Sequence, residues 1–182
     1  MKNFAVNVNG KEYWISRSIA TCGFVFKKVK DTIYCLVEKR GQGAADFQDH
    51  WCAPCGYLDY DESLRECIKR EIKEECGFIC DILKLKMVAV NSDPKENRQN
   101  VTAHFVYDAS ENEDFYLNLR NGGEKDEVET VQWMPVAFIN KQNGVEYNET
   151  VFNDKWAFNH DALIKKYIQH YGKEKIFGKD IV

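Results

Sequence analysis

The stretch at residues 56–78 reads GYLDYDESLRECIKREIKEECGF and limits the possible folds more than any other part of the chain. At about 100° per residue, a helix over residues 63–76 places Glu71, Glu74 and Glu75 on one side, within an arc of about 100°. The apolar residues of the segment fall on that same side: Leu64, Cys67, Ile68 and Ile72. The opposite side carries Glu66, Lys69 and Lys73.

Glutamates on the apolar side of a helix are unusual, because an unpaired buried carboxylate costs several kcal/mol. We therefore expect a partner that neutralises Glu71, Glu74 and Glu75. Divalent cations are the leading candidates, since hard cations prefer carboxylate oxygens. The other interpretation is a charged surface helix with i,i+4 pairs such as Arg70–Glu74, and the position of the glutamates on the apolar side argues against it.

Length and composition favour one globular domain. The chain has 182 residues, of which 44% are hydrophobic, which is enough for a full core. We expect a single domain over residues 1–182, with the strands of residues 1–17 as an extension. The net charge of −4 argues against a stable nucleic-acid complex or a membrane-surface protein. No apolar run approaches the roughly 18 residues that a membrane-spanning helix needs.

The cysteines predict a reducing environment. There are seven of them, an odd number, and they are scattered through predicted core segments, which favours free thiols over a disulfide framework. Residues 1–14 contain no signal-peptide hydrophobic region, so we expect a cytoplasmic protein. Cys52 and Cys55 form a C-x-x-C, but a zinc site needs two further ligands at suitable spacing and a redox pair prefers a helix start.

Alternating apolar patterns predict the strands. We expect a hairpin from residues 4–8 and 12–15 around the Asn9-Gly10 turn. Further strands are predicted at residues 19–27, 32–38, 51–57, 79–90, 101–108 and 127–134.

Capping residues and helical spacing predict the helices. Ser63 and Glu66 form a capping box for the helix over residues 63–76, with Asp59 and Asp61 as other cap candidates, and Gly77 should end it. Pro135 predicts a short helix to about residue 139, followed by a polar loop over residues 140–153. A closing helix should start at residue 154 or 159 and run to about residue 171. Together these elements predict an α/β fold.

The opening stretch resembles the Nudix hydrolase family. The family's box, G-x5-E-x7-R-E-U-x-E-E-x-G-U with U a bulky apolar residue, is matched at every defined position: Gly56, Glu62, Arg70, Glu71, Ile72, Glu74, Glu75, Gly77 and Phe78. The resemblance implies a Nudix α/β/α sandwich with a mixed β-sheet over about residues 18–171. It also implies hydrolysis of a diphosphate bond linked to a nucleoside or another group.

The resemblance assigns roles to the box residues. Glu71, Glu74 and Glu75 would bind Mg²⁺, with Mn²⁺ as a substitute, helped by the carbonyl of Gly56. The metal would neutralise the diphosphate and activate the attacking water. Arg70 would orient the carboxylates. Either Glu75 or Glu71 would act as general base, and the sequence leaves that choice open.

Three segments outside the box bear on the substrate. Ser92, Pro94 and Arg98 are similar to an S-x-P-x-R-D-x-R pattern of ADP-ribose pyrophosphatases, although Glu96-Asn97 replaces its R-D pair. The segment 157–160 reads AFNH and resembles their A-F-D-H. Family members also carry an acidic loop before the strand that ends in WMP, with Glu124 and Glu127 as the candidates here.

The resemblance therefore predicts that Pro94, Arg98, Glu124 and His160 contact substrate. Each also has a simpler interpretation, respectively a loop proline, a solvated charge, a solvated loop glutamate and a helix-start hydrogen bond. A nucleobase would need an aromatic platform, for which Phe47, Phe115 and Tyr116 are candidates.

We predict Mg²⁺-dependent hydrolysis of a nucleoside diphosphate derivative, with ADP-ribose as the first choice and AMP and ribose 5-phosphate as products. The alternatives are nucleoside triphosphates, another nucleotide sugar, or a ligand-sensing domain without catalysis. The last normally accompanies a DNA-binding module, for which residues 172–182 are too few. The protein should be a monomer or a homodimer, with residues 4–15 pairing across a dimer or extending the monomer's own sheet.

Overall fold

The fold was analysed in a computed structural model that describes residues 3–110, 126–140, 142 and 144–172. Three residues proposed from the sequence, Phe115, Tyr116 and Glu124, lie outside the described residues. The strands are β1 (Phe4–Val8), β2 (Lys11–Ile15), β3 (Ser18–Val29), β4 (Thr32–Arg40), β5 (Trp51–Cys52), β6 (Cys55–Tyr57), β7 (Lys86–Asn91), β8 (Asn100–Asp108), β9 (Val128–Asn140) and β10 (Gly144–Tyr147). The helices are α1 (Leu64–Cys76), α2 (Glu149–Phe152) and α3 (His160–Gly172).

The main sheet is mixed, as the sequence predicts. Its strands follow the order β10-β9-β4-β3-β8-β7, with β5 paired to β4 and β6 paired to β3. The pairing of β3 with β8 is parallel, and the other pairings are antiparallel. Because β3 lies at the centre of this order, the short strand β6 that precedes α1 is fixed to the middle of the sheet.

Helices cover both faces of this sheet, which confirms the α/β/α sandwich. Alternate residues of β3 point to opposite faces. Phe24 and Phe26 belong to the cluster that contains Ile164 and Ile168 of α3. Val25, in contrast, packs in the cluster that contains Ile68 and Ile72 of α1. The two buried clusters account for the nearly continuous apolar pattern of the central strands.

Helix α1 forms where the sequence predicts it. Ser63 is its N-cap, and the reciprocal contacts of the capping box with Glu66 are both present. Gly77 ends it with a left-handed backbone, φ 67°, and donates its N–H to the Lys73 carbonyl. Asp59 and Asp61 lie before the helix, so they are not its caps.

The strand predicted over residues 79–90 is wrong in its first half. Only Lys86–Asn91 is extended. The Asp81 side chain accepts the Leu83 N–H at 3.0 Å, and the Asp81 carbonyl accepts the Lys84 N–H at 3.0 Å. Such local bonds give the backbone an alternative to a sheet ladder, so these residues turn before β7 starts.

The helix predicted to start at Pro135 is also wrong, because β9 continues through this residue to Asn140. A register shift opposite Ile33 and Tyr34 pairs Pro135 with Tyr34. A β-bulge accommodates a residue that lacks an N–H for the ladder. The loop predicted over residues 140–153 contains β10 and the short helix α2, so that prediction is wrong for these residues as well.

The N-terminal hairpin is present but separate from the main sheet. Strands β1 and β2 pair with each other around Asn9 and Gly10, whose φ angles are 54° and 80°. They form their own two-stranded sheet, so the alternative in which they extend the main sheet is wrong. Pairing across a homodimer stays a prediction. Within the described residues, no helix combines the length and apolarity needed to cross a membrane.

Candidate active site

The predicted carboxylates lie where α1 packs against β6. Glu71 is only 9% exposed, and its carboxylate lies so close to Gly56 that a Cβ at position 56 would overlap it. One turn further along the helix, the Oε2 atom of Glu75 accepts the backbone N–H of Cys55 at 2.8 Å. The strand that carries Gly56 therefore binds Glu75 through a backbone N–H and lies in close contact with Glu71.

Arg70 connects three carboxylates of the box, those of Glu62, Glu71 and Glu74. Its Nε and Nη2 atoms donate to both oxygens of Glu62, at 3.1 and 2.7 Å. Its Nη1 atom donates to Glu71 at 2.8 Å and to Glu74 at 3.0 Å. Glu62 in turn accepts the Asp59 N–H at 3.0 Å, so it joins the loop before the helix to the same network. This geometry matches the orienting role that the sequence predicts for Arg70.

The pKa of each glutamate in the site depends on its burial and on whether Arg70 contacts it. Hydrogen bonds from Arg70 lower the pKa of Glu62 to about 2, while those to Glu62 and Glu74 raise the pKa of Arg70 itself. Burial raises the pKa of Glu71, although Arg70 opposes this shift. Burial also raises the pKa of Glu75 well above its usual range, and the nearby Glu38 raises it further.

Glu38 is an acidic group of this region that sequence reasoning missed. It lies on β4, is 1% exposed, and accepts the Cys52 thiol at 3.2 Å through Oε1. Its Oε2 atom is buried and has no hydrogen-bond partner among the described residues. Burial raises the pKa of Glu38 to about 7, while the Cys52 thiol and Arg40 act in the opposite direction.

The sequence signal for Glu38 is weak, because it stands at the junction between the apolar and the charged part of its strand. Residues 32–40 read TIYCLVEKR, and Glu38 follows the apolar run of that strand. Its proximity to Glu75 depends on the pairing of Glu38 with Cys52 across β4 and β5. That pairing cannot be read from the sequence.

The donor set of α1 fits a divalent cation. Glu71, Glu74 and Glu75 each use one carboxylate oxygen in the bonds described above, and their second oxygens receive no hydrogen bond from described residues. Burial without a matching cation also leaves an excess of negative charge, which a hard divalent cation would neutralise. In the described part of the chain, however, no three such side chains already converge as a metal site.

Two predicted substrate residues, Pro94 and Arg98, lie on the exposed loop before β8. Arg17 holds this loop by donating to the carbonyl oxygens of Ser92 and Asn97, both at 2.6 Å. Its Nη2 atom also donates to the carbonyl of Asn100. Among the residues described, Arg98 forms no ion pair, so its guanidinium is available to an anion.

His160 makes the helix-start hydrogen bond that is the simpler of its two interpretations, and a substrate contact stays a prediction. It is 4% exposed at the start of α3, and its Nδ1 atom accepts the Ala53 N–H at 3.0 Å. Its Nε2 atom lies 3.5 Å from the Cys22 thiol, and burial lowers its pKa to about 3. Both ring nitrogens of this neutral histidine therefore contact the protein interior: Nδ1 joins α3 to the segment before β6, and Nε2 lies against β3.

Comparison with known proteins agrees with this geometry. A helix that packs acidic residues against a short strand paired to the middle of a mixed sheet, within an α/β/α sandwich, is typical of the Nudix class. A family model described as NUDIX domain matches residues 17–154. The match covers well over half of the chain, which therefore belongs to the Nudix family of pyrophosphohydrolases.

Individual relatives are distant. The chain is 24% identical over 183 residues to an ADP-ribose pyrophosphatase from Methanocaldococcus jannaschii, with 92% of each protein covered. A MutT/nudix family protein from Enterococcus faecalis superposes with a TM-score of 0.65 and 19% identity over 87% of this chain. That match spans 63% of the Enterococcus chain, less than two thirds of its length.

The NUDIX domain of Shewanella oneidensis NrtR, solved with ADP ribose, superposes equally well. Its TM-score is 0.65 at 18% identity, over 86% of this chain and 89% of that chain. At such identities the structures demonstrate a shared fold, and the activity of this chain has to be argued from its own residues.

Gly56→Ala should reduce turnover strongly, because the added Cβ would displace the Glu71 carboxylate. Steady-state hydrolysis assays with a nucleotide substrate would measure the loss. The control is Gly144→Ala, where the added Cβ meets no atom within 4 Å but the backbone is left-handed, φ 81°. This control should lose stability and keep its turnover number. Normal turnover of Gly56→Ala would contradict the described packing of Glu71 on β6.

Glu38→Gln should change how stability depends on pH. Because folding raises the pKa of Glu38 to about 7, wild-type stability from this group is present at low pH and lost as pH rises from about 4.5 to about 7. The variant cannot lose stability in this way, because glutamine does not ionise. The unfolding free energy of the variant relative to wild type should therefore be higher at pH 8 than at pH 5, by up to about 3 kcal/mol.

Urea unfolding in EDTA at both pH values would test this expectation. Glu129→Gln, at a half-exposed glutamate paired with Lys39, is the control and should track wild type. An equal Glu38→Gln difference at pH 5 and pH 8 would show that Glu38 is ionised in the folded state throughout.

Proposed function

We propose that this protein hydrolyses a diphosphate bond in a nucleoside diphosphate derivative, with ADP-ribose as its substrate and AMP and ribose 5-phosphate as products. The observation that carries the proposal is the set of box glutamates on the buried side of α1, oriented by Arg70 and packed on Gly56. The choice of ADP-ribose is supported by the named activity of the Methanocaldococcus relative and by the ligand named for the NrtR domain.

Glu71, Glu74 and Glu75, together with the Gly56 carbonyl, would hold Mg²⁺ or Mn²⁺. A bound divalent cation would neutralise diphosphate charge and lower the pKa of the attacking water. The charge balance of the site supports the proposed cation, because three carboxylates share the single guanidinium of Arg70.

The chain itself orients the reacting groups. Arg70 fixes Glu71 and Glu74, and the Cys55 N–H fixes Glu75. Either Glu75 or Glu71 accepts the proton of the attacking water, and burial raises the pKa of both above the ordinary value of a glutamate. The bond from phosphorus to the bridging oxygen breaks, and each product leaves with one phosphate.

The loop residues would hold the rest of the substrate. Arg98 would pair with a phosphate from the loop that also carries Pro94. Glu124 is proposed as a further acidic group at the site. A direct contact from His160 would require breaking its bond to Ala53, so we propose that it acts by positioning the segment before β6.

We retain the remaining proposals from the sequence: one Nudix domain over residues 1–182, a cytoplasmic location, and a monomer or homodimer that acts without nucleic acid or membrane. The alternative activities are hydrolysis of nucleoside triphosphates or another nucleotide sugar, and ligand sensing without catalysis. Incubation with a panel of these compounds plus Mg²⁺, followed by mass analysis of the products, would separate them. Binding without turnover at high metal concentration would identify a sensor.

Glu75→Gln and Glu71→Gln should each reduce turnover by about 10² or more, because each removes charge that binds the cation or accepts a proton. Calorimetric titration with Mn²⁺ should also show weaker metal binding in both variants. The matched control is Glu66→Gln on the opposite side of the same helix, because glutamine preserves a capping box. EDTA should abolish wild-type activity and Mg²⁺ should restore it. Near-normal turnover in both variants would refute the mechanism.

Arg98→Ala should raise the KM for the nucleotide more than it changes kcat, because a phosphate contact from a loop contributes to binding. Manganese affinity should stay at the wild-type value. Lys95→Ala removes another exposed cation of the same loop and is the control for general charge effects. If both variants keep the wild-type KM, Arg98 does not contact substrate.

A further inference from the structure

Two exposed aromatic rings form a pair beside the candidate site. Phe47 and Phe158 are 44% and 38% exposed, and their ring centroids are 4.8 Å apart in an edge-to-face arrangement. Phe47 belongs to the loop between β4 and β5, whereas Phe158 belongs to the segment between α2 and α3. The two rings therefore meet only because the fold brings two distant segments together.

Both residues adopt a backbone conformation that bulky side chains rarely occupy. Their φ angles are 52° and 56°, in the left-handed region that favours glycine. Such strain persists only where the surroundings enforce it, and it concentrates at functional sites. Because both rings stay substantially exposed, burial of apolar surface does not explain why the chain tolerates it.

The two segments are fixed to one another by backbone hydrogen bonds. The Trp51 N–H donates to the Lys155 carbonyl at 2.8 Å, and the Ala157 N–H donates to the Trp51 carbonyl at 2.9 Å. On the other side of the first loop, the Asp49 N–H donates to the Arg40 carbonyl at 2.9 Å. The aromatic pair is therefore preorganised, which reduces the cost of ordering it around a ligand.

A short chain of contacts leads from the pair to the catalytic glutamates. The ring centroids of Phe158 and His160 are 5.4 Å apart, and His160 accepts the Ala53 N–H at 3.0 Å. Two residues after Ala53, the Cys55 N–H donates to Glu75 at 2.8 Å. The Phe158 ring is therefore connected to Glu75 through His160 and the segment of residues 53–55.

We propose that Phe47 and Phe158 bind the nucleobase of the substrate by stacking. This inference rests on the proposed nucleotide hydrolysis and names the residues that would select a nucleoside over other diphosphates. Every nucleobase presents an apolar π-face that stacks on exposed aromatic rings. Arg40 supports the platform from the protein side, because its guanidinium lies 5.2 Å from the Phe158 ring centroid. The same guanidinium donates to the Asp46 carbonyl and carboxylate at 2.9 and 3.1 Å.

The test compares ligands with and without a base. Phe47→Leu and Phe158→Leu keep an apolar side chain and remove the ring. In calorimetric titrations with Mg²⁺ present, each variant should bind AMP about tenfold or more weakly than wild type, the range expected for a lost base–aromatic stack. Affinity for ribose 5-phosphate should not change. The control is Phe138→Leu, at a ring 43% exposed on β9, which should leave both affinities unchanged.

A measurement on the wild-type protein tests the proposal even if the variants fail to fold. In complexes with AMP, intermolecular nuclear Overhauser effects should join the base protons to the ring protons of Phe47 and Phe158. Their absence in a saturated complex would overturn the proposal. So would AMP affinities that stay at the wild-type value, or a parallel loss of ribose 5-phosphate affinity, which would indicate a packing role.

The outcomes distinguish this inference from the proposed function. If the wild-type protein hydrolyses no nucleotide but AMP shows the base-to-ring contacts, the proposed hydrolysis fails and the stacking site stands. If nucleotides are hydrolysed and both leucine variants keep the wild-type KM, the hydrolysis stands and the stacking site fails.

Discussion

The contact between Arg70 and three carboxylates is the interaction on which the site depends. A single planar guanidinium binds Glu62 through two hydrogen bonds and reaches Glu71 and Glu74 through a third nitrogen. Its fork matches carboxylate geometry in a way that the point charge of a lysine cannot. Without it, like charges on one helix face would repel, and α1 could not pack its acidic side against β6.

The hydrogen bonds of Arg70 do not extend to Glu75. Glu75 lies one turn beyond Glu71 and, in the described part of the chain, pairs with no cation, while Glu38 approaches the same region from the sheet. Arg70 thus neutralises the carboxylates that it contacts and does not reach the carboxyl groups of Glu75 and Glu38. A protein that needed only stability would replace such buried carboxylates with apolar residues. Their presence is better explained by a cation that binds during function.

The sequence predicts those features that are encoded locally. Ser63 and Gly77 set the ends of α1, and helical spacing alone places Glu71 and Glu75 on its buried side. Pro135 misleads because a β-bulge, formed with the neighbouring strand β4, absorbs its missing N–H. Glu38 and Phe158 are unpredictable for a related reason. Their neighbours in space come from other strands and loops, so their roles depend on strand register and chain path.

The residues proposed for metal binding and those proposed for substrate binding lie in different parts of the fold. The residues proposed to bind the metal lie on α1 and β6, elements fixed by the core and by local caps, so the box can be recognised without a structure. The residues proposed to bind the rest of the substrate lie on segments held by a few polar contacts, such as the loop that Arg17 fixes through backbone carbonyls. Because backbone carbonyls are independent of side-chain identity, such a loop can change its residues while keeping its path. The same catalytic helix can thereby serve different substrates.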